Sequence, residues 1–90
     1  MRVTTPAELG AYVRQRRRRL RLTQRELADR AGASRQWVVA LEAGKGRAEL
    51  GLVLSTLSAL DLDLDLVERR EPGMGPVDLD AILARHRGGR

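Results

Sequence analysis

Ninety residues with 17 lysines and arginines against 12 aspartates and glutamates, a formal net charge of +5, make one small basic domain with a limited core, so association is expected to add stability. The absence of cysteine and a lone histidine, His86, rule out a disulfide framework and leave no histidine-, cysteine- or metal-based catalytic set, so neither an enzyme nor a cofactor is expected. No apolar run approaches the roughly 20 residues of a membrane span, and the first residues lack the order of a secretion signal, which makes the expected location cytoplasmic.

Along the chain, Thr5-Pro6-Ala7-Glu8 sets a capping residue, a proline at the first helical position and a glutamate at the third, the signature of a helix start. Leu9, Tyr12, Val13 and Leu20 then recur at helical spacing, with Arg14, Arg16, Arg18 and Arg19 on the other faces. Thr23-Gln24-Arg25-Glu26 repeats the cap and opens a short helix, with Leu27 and Ala28 inward and Gly32 to end it. Ser34 is a third N-cap, ahead of a helix from Arg35 to Ala43 that stops at Gly44. After a Lys45-Gly46-Arg47 loop, Leu50, Val53, Leu54, Leu57 and Leu60 fall on one stripe of a fourth helix, whose first turn Gly51 weakens. From Asp61 the period drops to two, and Asp61-Leu62-Asp63-Leu64-Asp65-Leu66-Val67 places leucines and aspartates on opposite faces of a strand. Glu71 to Pro76 is a breaker-rich linker, and Val77 to Leu83 fits one or two amphipathic turns before a basic end.

Charge is divided unevenly. Residues 1–47 hold 12 Lys/Arg against 4 Asp/Glu, and residues 48–90 hold 5 against 8. A basic first half suggests a polyanion, and with only Tyr12 and Trp37 aromatic the chain lacks stacking platforms for single strands, so duplex DNA is the expected partner. Two short helices crossing steeply over a tight turn need a small side chain at the contact and a turn residue that tolerates positive φ. Ala28 and Gly32 meet those needs, and Val38 and Leu41 seat the second helix on the first.

With those positions in place, Leu22-Thr23-Gln24 through Leu27-Ala28, Gly32, Val38, Leu41-Glu42 and Gly44 resembles the lambda-repressor-like (Xre-type) helix-turn-helix family over roughly residues 7–60. The resemblance implies a mainly α, four- to five-helix DNA-binding domain over residues 1–60, to which the sequence adds a short C-terminal β-strand for dimerisation over 61–70 and a flexible tail over 71–90. In that family the start of the recognition helix touches base edges, which puts Arg35 and Gln36 there and Ala40 one turn on. The chemistry suits them, since arginine pairs bidentately with guanine and glutamine with adenine, each pair discriminating by about 1–3 kcal/mol, while the Ala40 methyl meets only a thymine methyl. Gln24 resembles the family's phosphate clamp at a helix N-terminus. Thr23, Ser34, Lys45, Arg47 and Arg18 join it as expected DNA-backbone contacts. The resemblance also pairs Arg17 with Glu42 as a structural ion pair. Two readings of Trp37 stand, a packing residue or an indole lying on the sugar-phosphate backbone, and the run Arg16 to Arg19 reads either as a solvated face or as an electrostatic footprint on DNA.

A lone strand leaves an unpaired edge, and its simplest partner is a second copy. Residues 61–67 of two chains are expected to pair antiparallel into a homodimer, with Leu62, Leu64 and Leu66 laid onto Leu57 and Leu60 at the interface; the alternative is an intrachain coil capping the fourth helix. Two-fold symmetry then sets two recognition helices about 34 Å apart and calls for a palindromic operator. A helix-turn-helix followed by a fourth helix, a leucine-alternating strand and a loose tail, with Ser34-Arg35-Gln36-Trp37-Val38, is similar to HipB-type antitoxins. That resemblance implies the autoregulating antitoxin of a toxin–antitoxin system, partnered by a HipA-type serine/threonine kinase toxin. Composition and spacing do not indicate the kinase. Leu79, Ile82 and Leu83 form either a partner-binding segment or a tail without function. The alternatives are a stand-alone Xre-type regulator with no toxin partner and a basic protein that binds nucleic acid without sequence preference.

Overall fold

The computed structural model describes residues 2–69, in which four helices follow one another: α1 (Pro6–Arg19), α2 (Gln24–Ala31), α3 (Arg35–Glu42) and α4 (Leu50–Ala59). Each of the first three starts on a hydroxyl. Thr5 Oγ1 accepts from the Glu8 N–H at 3.1 Å, and the Glu8 carboxylate in turn receives the Thr4 N–H at 3.0 Å and the Thr4 hydroxyl at 2.8 Å. Thr23 and Glu26 form a reciprocal capping box, both bonds 3.0 Å, and Ser34 Oγ accepts from the Trp37 N–H at 3.0 Å. The Thr4 hydroxyl and N–H hold the Glu8 carboxyl below the ordinary carboxylate range, and the Thr23 N–H and hydroxyl do the same for Glu26.

All four helices stop in the same way. One or two residues beyond each end the chain turns left-handed, at Arg21 (φ 59), Gly32 (φ 74), Gly44 (φ 80) and Asp61 (φ 55). The next N–H then reaches back to a carbonyl five residues earlier: Leu22 to Arg17, Ala33 to Ala28, Lys45 to Ala40 and Leu62 to Leu57, at 2.8–3.1 Å. These are Schellman closures, which satisfy carbonyls that the helix end would leave bare. Glycine supplies the left-handed residue twice without steric cost.

α2 packs against both α3 and α4, and α1 packs against α3. The core they enclose is Val13, Leu22, Leu27, Ala28, Val38, Leu41, Leu57 and Leu60. The buried face of α4 is rotated from the expected leucine stripe. Thr56 is fully buried while Leu50 and Leu54 are 66% and 42% exposed. The Thr56 hydroxyl can turn inward because it donates to the Leu52 carbonyl at 2.7 Å, so no bare polar group is buried.

Two expectations about the second half change. Leu57 and Leu60 lie in the chain's own core, at 6% and 0% exposure, so they are covered before any second copy arrives and do not form a free dimer surface. Asp61 is the left-handed closing residue of α4, not the first residue of a strand, and Leu62 folds back onto the core. Residues 62–69 are paired with no strand among the described residues, while Leu64, Leu66 and Val67 are exposed. The tail over 71–90, including Leu79, Ile82, Leu83 and His86, lies outside the described residues.

Candidate nucleic-acid interface

The turn between α2 and α3 is Gly32-Ala33-Ser34. Ala28 and Val38 are buried at the crossing, and Leu41 seats the far end of α3. The first turn of α3 is left facing outward: Arg35 and Gln36 are exposed, and Ala40, one turn on, is half-buried. Nothing in the core requires either long polar side chain.

A bonded network fixes the pose of α3. Arg17, at the end of α1, donates through Nε to Glu42 Oε2 at 2.7 Å and through Nη2 to Glu42 Oε1 at 3.0 Å. Its third nitrogen, Nη1, donates to the Leu22 carbonyl at 2.8 Å. One buried fork thereby joins α1, the α1–α2 turn and α3, with the geometry that suits arginine and not lysine. Gln24, half-buried at the first position of α2, donates from Nε2 to Glu42 Oε1 at 3.3 Å and accepts from Arg35 Nη2 at 3.5 Å. The contacts therefore run from the buried pair out to the first residue of α3. Sequence reasoning singled out Gln24 for a phosphate but did not see this second tie, because it depends on which face of α2 meets Glu42.

The other candidates are spread around this centre. Thr23 and Ser34 are exposed, and both hydroxyls are engaged as caps. Lys45 and Arg47 are exposed in the loop after α3, and Arg18 is exposed on α1. Trp37 is half-buried, with part of its indole packed against the core. Within the run Arg16 to Arg19, two residues are structural. Beside Arg17, Arg16 donates from Nε to the Leu60 carbonyl at 3.0 Å and so ties α1 to the end of α4. A contact across 44 positions of sequence leaves no local signal. Among the described residues no group of histidine, cysteine, aspartate or glutamate is placed to hold a metal ion, and no helix is long and apolar enough to cross a membrane.

A family model described as a helix-turn-helix domain matches residues 8–70. The chain belongs to the helix-turn-helix family. It is 44% identical over 73 residues to the uncharacterized HTH-type transcriptional regulator y4mF of Sinorhizobium fredii, an alignment covering 78% of this chain and 96% of that one. It is 43% identical over 60 residues to an uncharacterized HTH-type transcriptional regulator of Methanothermobacter thermautotrophicus, covering 67% and 84% of the two chains. Among solved structures, the fold matches HipB in an O4 20mer complex and a chain of a HipA-HipB-O2-O3 complex, each with a TM-score of 0.72 at 21% identity, over 78% of this chain and 99% of the other. The HipB likeness is one of fold. With two relatives above 40% identity, the chain is a helix-turn-helix transcriptional regulator, and the mainly α architecture read from residues 22–44 is the one found.

Proposed function

We propose that this helix-turn-helix chain is a sequence-specific repressor that acts as the antitoxin of a HipBA-type toxin–antitoxin system, binding a palindromic operator of its own genes as a homodimer and engaging a HipA-type kinase toxin. The observation that carries the DNA reading is the exposed first turn of α3, where Arg35 and Gln36 have no packing role while the helix beneath them is locked by the Arg17–Glu42 pair. Arg35, Gln36 and Ala40 meet base edges; Thr23, Gln24, Ser34, Trp37, Lys45, Arg47 and Arg18 meet the backbone. Support for the antitoxin reading is the common fold with HipB, which has been solved with a 20mer and with HipA. The dimer rests on Leu64, Leu66 and Val67, apolar side chains left exposed on an unpaired segment, with Leu62 at its root.

Two measurements separate this reading from its rivals. Alanine at both Arg35 and Gln36 is expected to abolish the preference for an operator over random duplex while leaving salt-sensitive residual binding; equal losses on both duplexes would refute the base contacts. Co-purification from the native operon should bring down a kinase-like protein. Recovery of the chain alone with intact operator binding would establish the stand-alone regulator, which the names of its two relatives also fit.

A further inference from the structure

A crevice of about 390 Å³ opens between α1 and α3 beside Gln24. Its floor is the Arg17–Glu42 pair, whose opposite charges face each other across 2.7 Å. Arg14 and Arg18 line one wall, four residues apart on the same face of α1, and among the described residues neither meets a carboxylate. Val39 on α3 and Ala43, the residue just beyond its end, line the other. Like charges at that helical spacing repel each other, and here the floor beneath them is neutral, so the crevice as it stands lacks a counter-charge. An anion between the two guanidiniums supplies it, with the paired N–H donors that suit phosphate oxygens. The short apolar wall on α3 leaves room for an attached sugar.

We propose that this crevice seats one phosphodiester of the duplex, held jointly by Arg14 and Arg18, so that the strand is gripped alongside the recognition helix as well as at its start. The identity of the phosphate rests on the DNA reading above, and the experiment separates the two. In the full chain, Arg14→Gln and Arg18→Gln should each leave the dependence of log affinity on log salt nearly unchanged, because the remaining arginine still neutralises the shared phosphate, while the double variant flattens it by about one. Ala43→Leu leaves every charge in place but fills the crevice. It should keep the wild-type circular dichroism and bind operator and random duplex alike about tenfold less tightly. Wild-type affinity in folded Ala43→Leu, or slope losses that add in the double variant, would overturn the shared seat in favour of diffuse charge. Should the wild-type chain bind no duplex, the DNA reading fails by itself, and titration with inorganic phosphate followed by NMR decides the crevice. Shifts of the Arg14 and Arg18 Nε–H signals that disappear in Ala43→Leu uphold an anion seat; unmoved signals refute it.

Discussion

Arg17 is the residue on which most of the site's geometry converges. It is 9% exposed, and each of its three guanidinium nitrogens donates, two to Glu42 and one to the Leu22 carbonyl. Removing one partner of such a pair strands the other charge, which typically costs about 3–5 kcal/mol. Glu42→Ala is therefore expected to lower the urea midpoint of unfolding by that equivalent, and Arg17→Lys to recover only part of the loss, since an ammonium cannot hold both carboxylate oxygens and the carbonyl in one plane. A second residue-scale effect has the opposite sign. Arg21 and Asp61 occupy left-handed backbone at φ 59 and φ 55, a state that disfavours any side chain with a Cβ. Asp61→Gly should raise stability by up to about 1 kcal/mol in thermal unfolding, the relief of strain exceeding the added freedom of the unfolded chain.

Among elements, the tightest contact is the crossing of α1 on α3. A methyl at Gly10 would collide with the Leu41 carbonyl oxygen and stand 2.8 Å from that of Glu42, backbone atoms that cannot swing away. Gly10→Ala is expected to destabilise by about 1–3 kcal/mol and, by prising α1 from α3, to weaken duplex binding beyond the loss of folded protein; both are measurable on one sample by chemical unfolding and by titration with duplex. Helix starts were legible in the sequence because Thr5, Thr23 and Ser34 act through neighbours three residues away. The ends at Gly32 and Gly44 were legible for the same local reason. Those at Arg21 and Asp61 were not, because neither residue type announces a left-handed conformation and the state is imposed by Leu22 and Leu62 turning back into the core. The inward face of α4 was misjudged for a related reason: a threonine whose hydroxyl is satisfied by its own helix buries as readily as a leucine, and periodicity of apolar residues alone does not reveal it. At the candidate site, the outward pair Arg35 and Gln36 could be read from position in the helix, whereas the Gln24–Glu42 tie and the crevice beside it depend on how three helices pack.

For the molecule as a whole, the decisive fact is that the core closes within one chain. Leu57 and Leu60 are buried without help, and the α4 closure at Asp61 and Leu62 is intramolecular. If the proposed dimer forms through residues 62–67, folding and association are separable. Deleting residues 63–67, beyond that closure, should yield a chain that sediments as a monomer, keeps its helical circular dichroism, and binds a single half-site poorly. Dimers that survive the deletion would place the contact elsewhere, and loss of helix would mean that the segment belongs to the fold.

The fork at Arg17 has one more implication, for fidelity. The same three bonds that set the pose of α3 also hold the domain together, and a small domain has only about 5–15 kcal/mol of stability in all. A substitution that lets the helix point astray thus removes much of what keeps the chain folded. Such an error would leave a protein cleared by proteolysis rather than one that acts at the wrong gene.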